Sequence, residues 1–122
     1  MRKWITTGLL VLSLLPSAAQ THGTASEYPR FIASWYGVKF IGKKTASGER
    51  YDPTKLTAAN KTLPLGTRVR LTVAKTRKTV VVRINDRGPW IDHRDFDVSE
   101  AAAIALGIRE KGIAEVLVEV VK

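Results

Sequence analysis

Two six- to seven-residue runs with period-two alternation constrain the fold most. In Thr67 to Val73, Val69, Leu71 and Val73 face one way while Arg68, Arg70 and Thr72 face the other. Lys75-Thr76-Arg77-Lys78 makes a polar connection, and Thr79 to Ile84 returns with Val80, Val82 and Ile84 on the core side. The pair reads as a β-hairpin with one buried face. Its second strand runs directly into Asn85-Asp86-Arg87-Gly88-Pro89, so a carboxylate and a guanidinium stand on a turn where a strand ends. Polar groups held this way by a rigid strand are placed for binding or catalysis.

The rest of the chain supplies short elements and long connections. Arg30 to Tyr36 alternates well enough for a strand that Gly37 ends. Lys39 to Arg50, rich in Lys, Gly, Thr and Ser, reads as a long functional loop, in which Gly48 is placed to give a positive φ just before Glu49. Leu56 to Ala59 is a short apolar piece. Ser99 is a good N-cap for a helix over Glu100 to Leu106, with Gly107 as its stop. Ile113 to Val121 reads as a final strand. Short strands with one helix favour a small closed β-barrel, because closure removes exposed sheet edges.

The first residues carry a different signal. Arg2 and Lys3 precede an apolar run from Ile5 to Leu15, and Ser17-Ala18-Ala19 fits the small-x-small cleavage pattern. The expected organisation is a signal peptide over 1–19, cut near Ala19/Gln20, a flexible lead-in over 20–29 and one domain over 30–122. The apolar run is shorter than the ~20 residues of a spanning helix, so no stable membrane insertion is expected after cleavage. With no Cys, the chain has neither disulfides nor a lipid-acceptor thiol. An exported, soluble protein of the periplasm or cell envelope follows as the expectation, acting as a monomer.

The formal net charge of +9 suits an anionic partner, and export favours cell-wall polymers or membrane surfaces over nucleic acid. Strand-borne Arg68, Arg70 and Arg83 lack the interleaved aromatics of a nucleic-acid barrel, so no nucleic acid is expected. His22 and His93 are isolated, there is no Gly-rich phosphate loop, and no Ser sits on a nucleophile elbow. Neither metal nor cofactor is expected.

Five motifs in order carry a family resemblance: Ala33-Ser34-Trp35-Tyr36-Gly37; Thr45 to Asp52 (TASGERYD); Leu56 to Pro64 (LTAANKTLP); Val82 to Pro89 (VRINDRGP); and Asp97-Val98-Ser99 before an Ala-rich helix. Together they resemble the rare lipoprotein A (RlpA-like) family of septal-ring endolytic peptidoglycan transglycosylases. The resemblance implies a six-stranded double-psi β-barrel, related to expansins and barwin-like proteins. It also implies a lyase activity on peptidoglycan glycan strands, preferably peptide-free, giving 1,6-anhydro-muramic ends. Asn60 stands where the family commonly has His. Asn donates and accepts hydrogen bonds but does not titrate near neutral pH. That departure favours the alternative, a non-catalytic expansin-like cell-wall glycan-binding module.

Glycosidic cleavage needs an acid near the leaving oxygen and negative charge near an oxocarbenium-like centre. Asp86 is the first candidate by its strand-end placement and by the resemblance. Glu49 and Asp52 on the long loop are the second pair. Asn60, Arg87, Trp90, Tyr51 and Tyr36 are the expected substrate-binding residues, Arg87 facing a lactyl carboxylate and the aromatics stacking on sugar rings. Asp97 is expected either to support the site or to cap the helix that begins near Ser99, Ser99 to hold the helix start, and Asp92 and Asp95 to be surface charges.

Overall fold

The computed structural model describes residues 29–122, so the expected signal peptide and most of the lead-in lie outside the described residues. Six strands close into a barrel: β1 (Arg30–Trp35), β2 (Thr57–Asn60), β3 (Arg68–Val73), β4 (Thr79–Asp86), β5 (Phe96–Val98) and β6 (Ile113–Val121). Around the barrel the order is β1-β5-β2-β4-β3-β6. The β3–β4 hairpin and β6 pair antiparallel, whereas β1 with β5 and β2 with β4 pair parallel. One helix, α1 (Glu100–Leu106), packs against the wall.

The hairpin alternation predicts its burial correctly: Val69, Leu71, Val73, Val80, Val82 and Ile84 all enter the core. Phe96, Val98 and Val116 fill the barrel between them, and Ala102, Ala103 and Leu106 of α1 close one side. Phe31 meets Phe96 edge to face at 6.1 Å. Burying the aliphatic part of such a core stabilises by roughly 25 cal/mol per Å² of apolar surface.

Helix α1 begins and ends as the sequence predicts. The Ser99 hydroxyl accepts the Ala102 N–H, and Gly107 takes the left-handed conformation at φ 71°, donating its N–H to the last turn. The serine also donates to the Lys55 carbonyl at 2.6 Å, tying the helix start to the segment before β2.

Two strands lie outside the sequence expectation. All four residues of β2 are buried, so Thr57–Asn60 has no alternation to read. Three-residue β5 is flanked on both sides by other strands, which makes it a strand by partnership rather than by propensity. These two carry the parallel crossovers that close the barrel.

Candidate active site

The site forms where β1, β5, β2 and β4 lie side by side. Asp97 is paired in register with Ser34 on one side and Ala59 on the other, and Ala59 is paired with Asp86. A bulge between Ala58 and Ala59 skips Asn85, which brings Asp86 opposite Ala59. Ser34, Asp97, Ala59 and Asp86 thus form one cross-strand row, and all four line a cleft of about 390 Å³. The two acids stand two strand spacings apart, roughly 10 Å between Cα atoms. Ala59 between them is buried beneath the rings of Tyr36 and Tyr51, and the Tyr36 hydroxyl reaches across to Asp86.

Asp86 is held by three donors. The Tyr36 hydroxyl donates to Oδ2 at 2.9 Å, and the Ala46 and Arg87 N–H groups donate to Oδ1 at 2.9 and 2.8 Å. Burial, then the bond to Asp86, push the Tyr36 phenol well above its usual range, so it remains a donor. Asp97 differs: burial raises its carboxyl, opposed by the Ser34 hydroxyl at 3.1 Å and the field of Arg94, and assisted by the charge of Asp86. A buried carboxyl raised in this way is suited to proton transfer.

Glu49 lies on the other face of β4. Arg83 and Asn85, two residues apart and both pointing away from the cleft row, grip it at 2.7, 3.2 and 2.9 Å. The bonds from Arg83 and then Asn85 lower its carboxyl to about 2, so it is ionised throughout the neutral range. Gly48, at φ 96°, supplies the turn expected before it. This grip fixes the 45–49 loop against β4, and the same loop delivers the Ala46 N–H to Asp86. Asp52 is outside the cleft lining as well. Its carboxylate accepts the Thr54 N–H and hydroxyl at 2.9 and 2.7 Å, which lower its pKa and close a local turn. Of the three expected acids, Asp86 lines the cleft and Glu49 and Asp52 do not, while Asp97 lines it with Asp86.

The expected binding residues divide similarly. Tyr36, Arg87 and Trp90 line the cleft, with Trp90 74% exposed. Phe40 and Ile91 add apolar surface at the rim. The Arg87 guanidinium donates through Nη1 to the Asn60 and Leu63 carbonyls at 3.1 and 2.7 Å and straps the 60–63 turn. Tyr51 is not in the groove: it is 3% exposed, stacked behind Tyr36 at 4.6 Å, and its hydroxyl accepts the Glu100 N–H. Asn60 faces a different depression, beside Phe31, Leu63 and Asp95. Its amide oxygen accepts the Thr62 and Leu63 N–H groups and its nitrogen donates to the Asp95 carbonyl. Asp95 is more than a surface charge, since its carboxylate accepts the Ile32 N–H at 2.9 Å. Ser34, Ala59, Lys39 and Arg94 also line the cleft and escaped sequence reasoning. The Ser34 and Ala59 positions lay within quoted motifs, but only strand pairing gives them a role.

Residues 29–118 match the lytic transglycolase family. The chain belongs to that family. Its relatives include the endolytic peptidoglycan transglycosylase RlpA of Neisseria meningitidis, 54% identical over 87 residues, covering 71% of this chain and 36% of the relative. The protein of that name in Pseudomonas aeruginosa is 55% identical over 87 residues, covering 71% of this chain and 26% of the relative. The chain therefore spans only about a quarter to a third of the length of these relatives. Among solved structures, Streptomyces papain inhibitor superposes with a TM-score of 0.60 at 20% identity, covering 77% of this chain and 96% of the other. An expansin from Clavibacter michiganensis gives 0.59 at 22% identity, covering 76% and 50%. These likenesses establish the six-stranded double-psi barrel. Among the described residues, no helix is long and apolar enough to cross a membrane.

Proposed function

We propose that this chain is a lytic transglycosylase that cleaves peptidoglycan glycan strands, peptide-free ones preferentially, and leaves 1,6-anhydro-muramic ends. The reading is carried by one observation: Asp97 and Asp86, each in register with Ala59, both line one aromatic-rimmed cleft. Membership in the family and relatives named as endolytic peptidoglycan transglycosylases support it. The signal-like start of the sequence supports export to the periplasm or envelope. The protein acts alone, as a monomer.

The roles follow from the two environments. Protonated Asp97 gives its proton to the glycosidic oxygen as the C1–O bond breaks. Positive charge develops at C1 and is met by the Asp86 carboxylate, which its three donors keep in place. The sugar's own C6 hydroxyl then attacks C1 and its proton returns to Asp97. A 1,6-anhydro ring forms, no water is consumed, and Asp97 is ready for another cycle. Trp90 stacks on a sugar face beside the reacting bond. Glu49, through Arg83 and Asn85, positions the loop that holds Asp86.

The test is incubation of purified protein with peptide-free glycan strands, with anhydro-muramic ends read by mass spectrometry. Wild type is expected to make them, and Asp97→Asn and Asp86→Asn to lose them while still binding sacculi. Binding without product in the wild type would replace this reading with the glycan-binding module.

A further inference from the structure

The cleft contains two cations that the proton-transfer scheme does not use. Lys39 comes from the short 3-10 turn Val38–Phe40 that follows β1, and Arg94 from the loop between β4 and β5. The arginines Arg30, Arg70, Arg83 and Arg109 pair with carboxylates, and Arg87, also in the cleft lining, uses Nη1 to hold two backbone carbonyls. Among the described residues, the Arg94 guanidinium and the Lys39 ammonium have no such partner; Lys39 lies over the Phe40 ring at 5.5 Å. A guanidinium on a cleft wall with open donors is placed to receive a planar anionic group.

A neutral sugar has no use for two cations. A glycan of alternating N-acetylglucosamine and muramic acid carries one acidic group per repeat, the lactyl carboxylate. That group is anionic only where no peptide is condensed onto it. We propose that Arg94, assisted by Lys39, receives the free lactyl carboxylate of the bound strand and makes the cleft selective for uncapped muramic acid. The assignment rests on the proposed function and names the feature of its substrate that the site reads. A guanidinium binds a carboxylate through two parallel hydrogen bonds, which a neutral amide cannot match.

Arg94 also acts on Asp97, whose surroundings are Ser34 and Tyr36 from the β1 side, Asp86 from β4, Tyr51 from the long loop and Arg94 itself. Of these, Arg94 is the cation that favours the ionised carboxyl. A substrate carboxylate seated on Arg94 cancels that field and helps Asp97 retain its proton for the leaving oxygen. Specificity and acid strength are then set by the same ion pair.

The experiment compares peptide-free strands with the same strands after their lactyl carboxylates are converted to methylamides. Binding is measured by calorimetry and cleavage by kcat/KM. Wild type should prefer the uncapped strands by on the order of tenfold in both. Arg94→Gln should bring both ratios toward one, Arg94→Lys should restore part of the preference, and exposed Lys39→Gln should reduce it by less. Arg94→Gln should also move the basic limb of the pH–rate profile to higher pH, which a packing defect would not do. Equal binding of capped and uncapped strands by the wild type overturns the inference, as does an equal loss on both in Arg94→Gln. Cleavage without discrimination would leave the proposed function standing and this inference refuted. Carboxylate-dependent binding without cleavage would do the reverse.

Discussion

Replacing Glu49 by Gln tests whether the long loop is clamped to β4 by charge. The carboxylate receives bonds from Arg83 at 2.7 and 3.2 Å and from Asn85 at 2.9 Å. Charge-assisted bonds contribute about 1.5–3 kcal/mol when well desolvated. The two side chains are 41% and 38% exposed, and solvent screening reduces such pairs to about 1 kcal/mol or less. Gln keeps one acceptor for Asn85, so the expected loss at pH 7 is about 1 kcal/mol, or a melting temperature lower by about 4–8 °C in a domain of this size. The folded-state value of about 2 lies below the unbound 4.5. The stabilisation is therefore complete above about pH 4.5 and vanishes as pH falls toward 2. Denaturant titrations of both proteins from pH 7 to pH 2.5 read this directly, and the gap between them should close across that window. A gap independent of pH would refute the clamp, because a purely steric effect of Gln has no reason to titrate.

Three further variants test the same geometry. Asp97→Asn should lower cleavage by about 10²- to 10⁴-fold, as expected for loss of a general acid. Because burial raises Asp97 in the fold, ionising it costs stability as pH rises past its folded value, so the variant should melt higher than wild type at pH 7 and lose that advantage in acid. Asn60→Ala leaves the Thr62 and Leu63 N–H groups without their acceptor and should cost about 1–3 kcal/mol in denaturant unfolding, with kcat/KM of the folded protein changed less than tenfold. A larger kinetic than thermodynamic effect would give Asn60 a catalytic role that its orientation does not support. Leu71→Ala, fully buried between the hairpin strands, should destabilise by about 2–5 kcal/mol without changing the pH–rate profile.

Local chemistry determined much of this protein in advance. Val69, Leu71 and Val73 against Val80, Val82 and Ile84 specify a hairpin because alternation has one structural solution when one face is dry. Ser99 and Gly107 delimit α1 because each satisfies backbone groups that a helix end leaves open. Gly48 and the strand-end position of Asp86 were legible for the same reason: each depends on neighbours within a few residues. Whatever depends on pairing between distant segments was not. Thr57–Asn60 and Phe96–Val98 are strands only because the barrel surrounds them. The skipped Asn85 in the β2–β4 register sets Asp86 opposite Ala59 and so into one row with Asp97, a cross-strand offset that no linear pattern encodes. Asp97 becomes the partner of Asp86 through Ala59, and its raised carboxyl comes from burial among four strands. The sequence alone supplied the acids and the barrel; tertiary pairing chose which acids meet, because desolvation and cross-strand neighbours exist only after the chain has closed on itself.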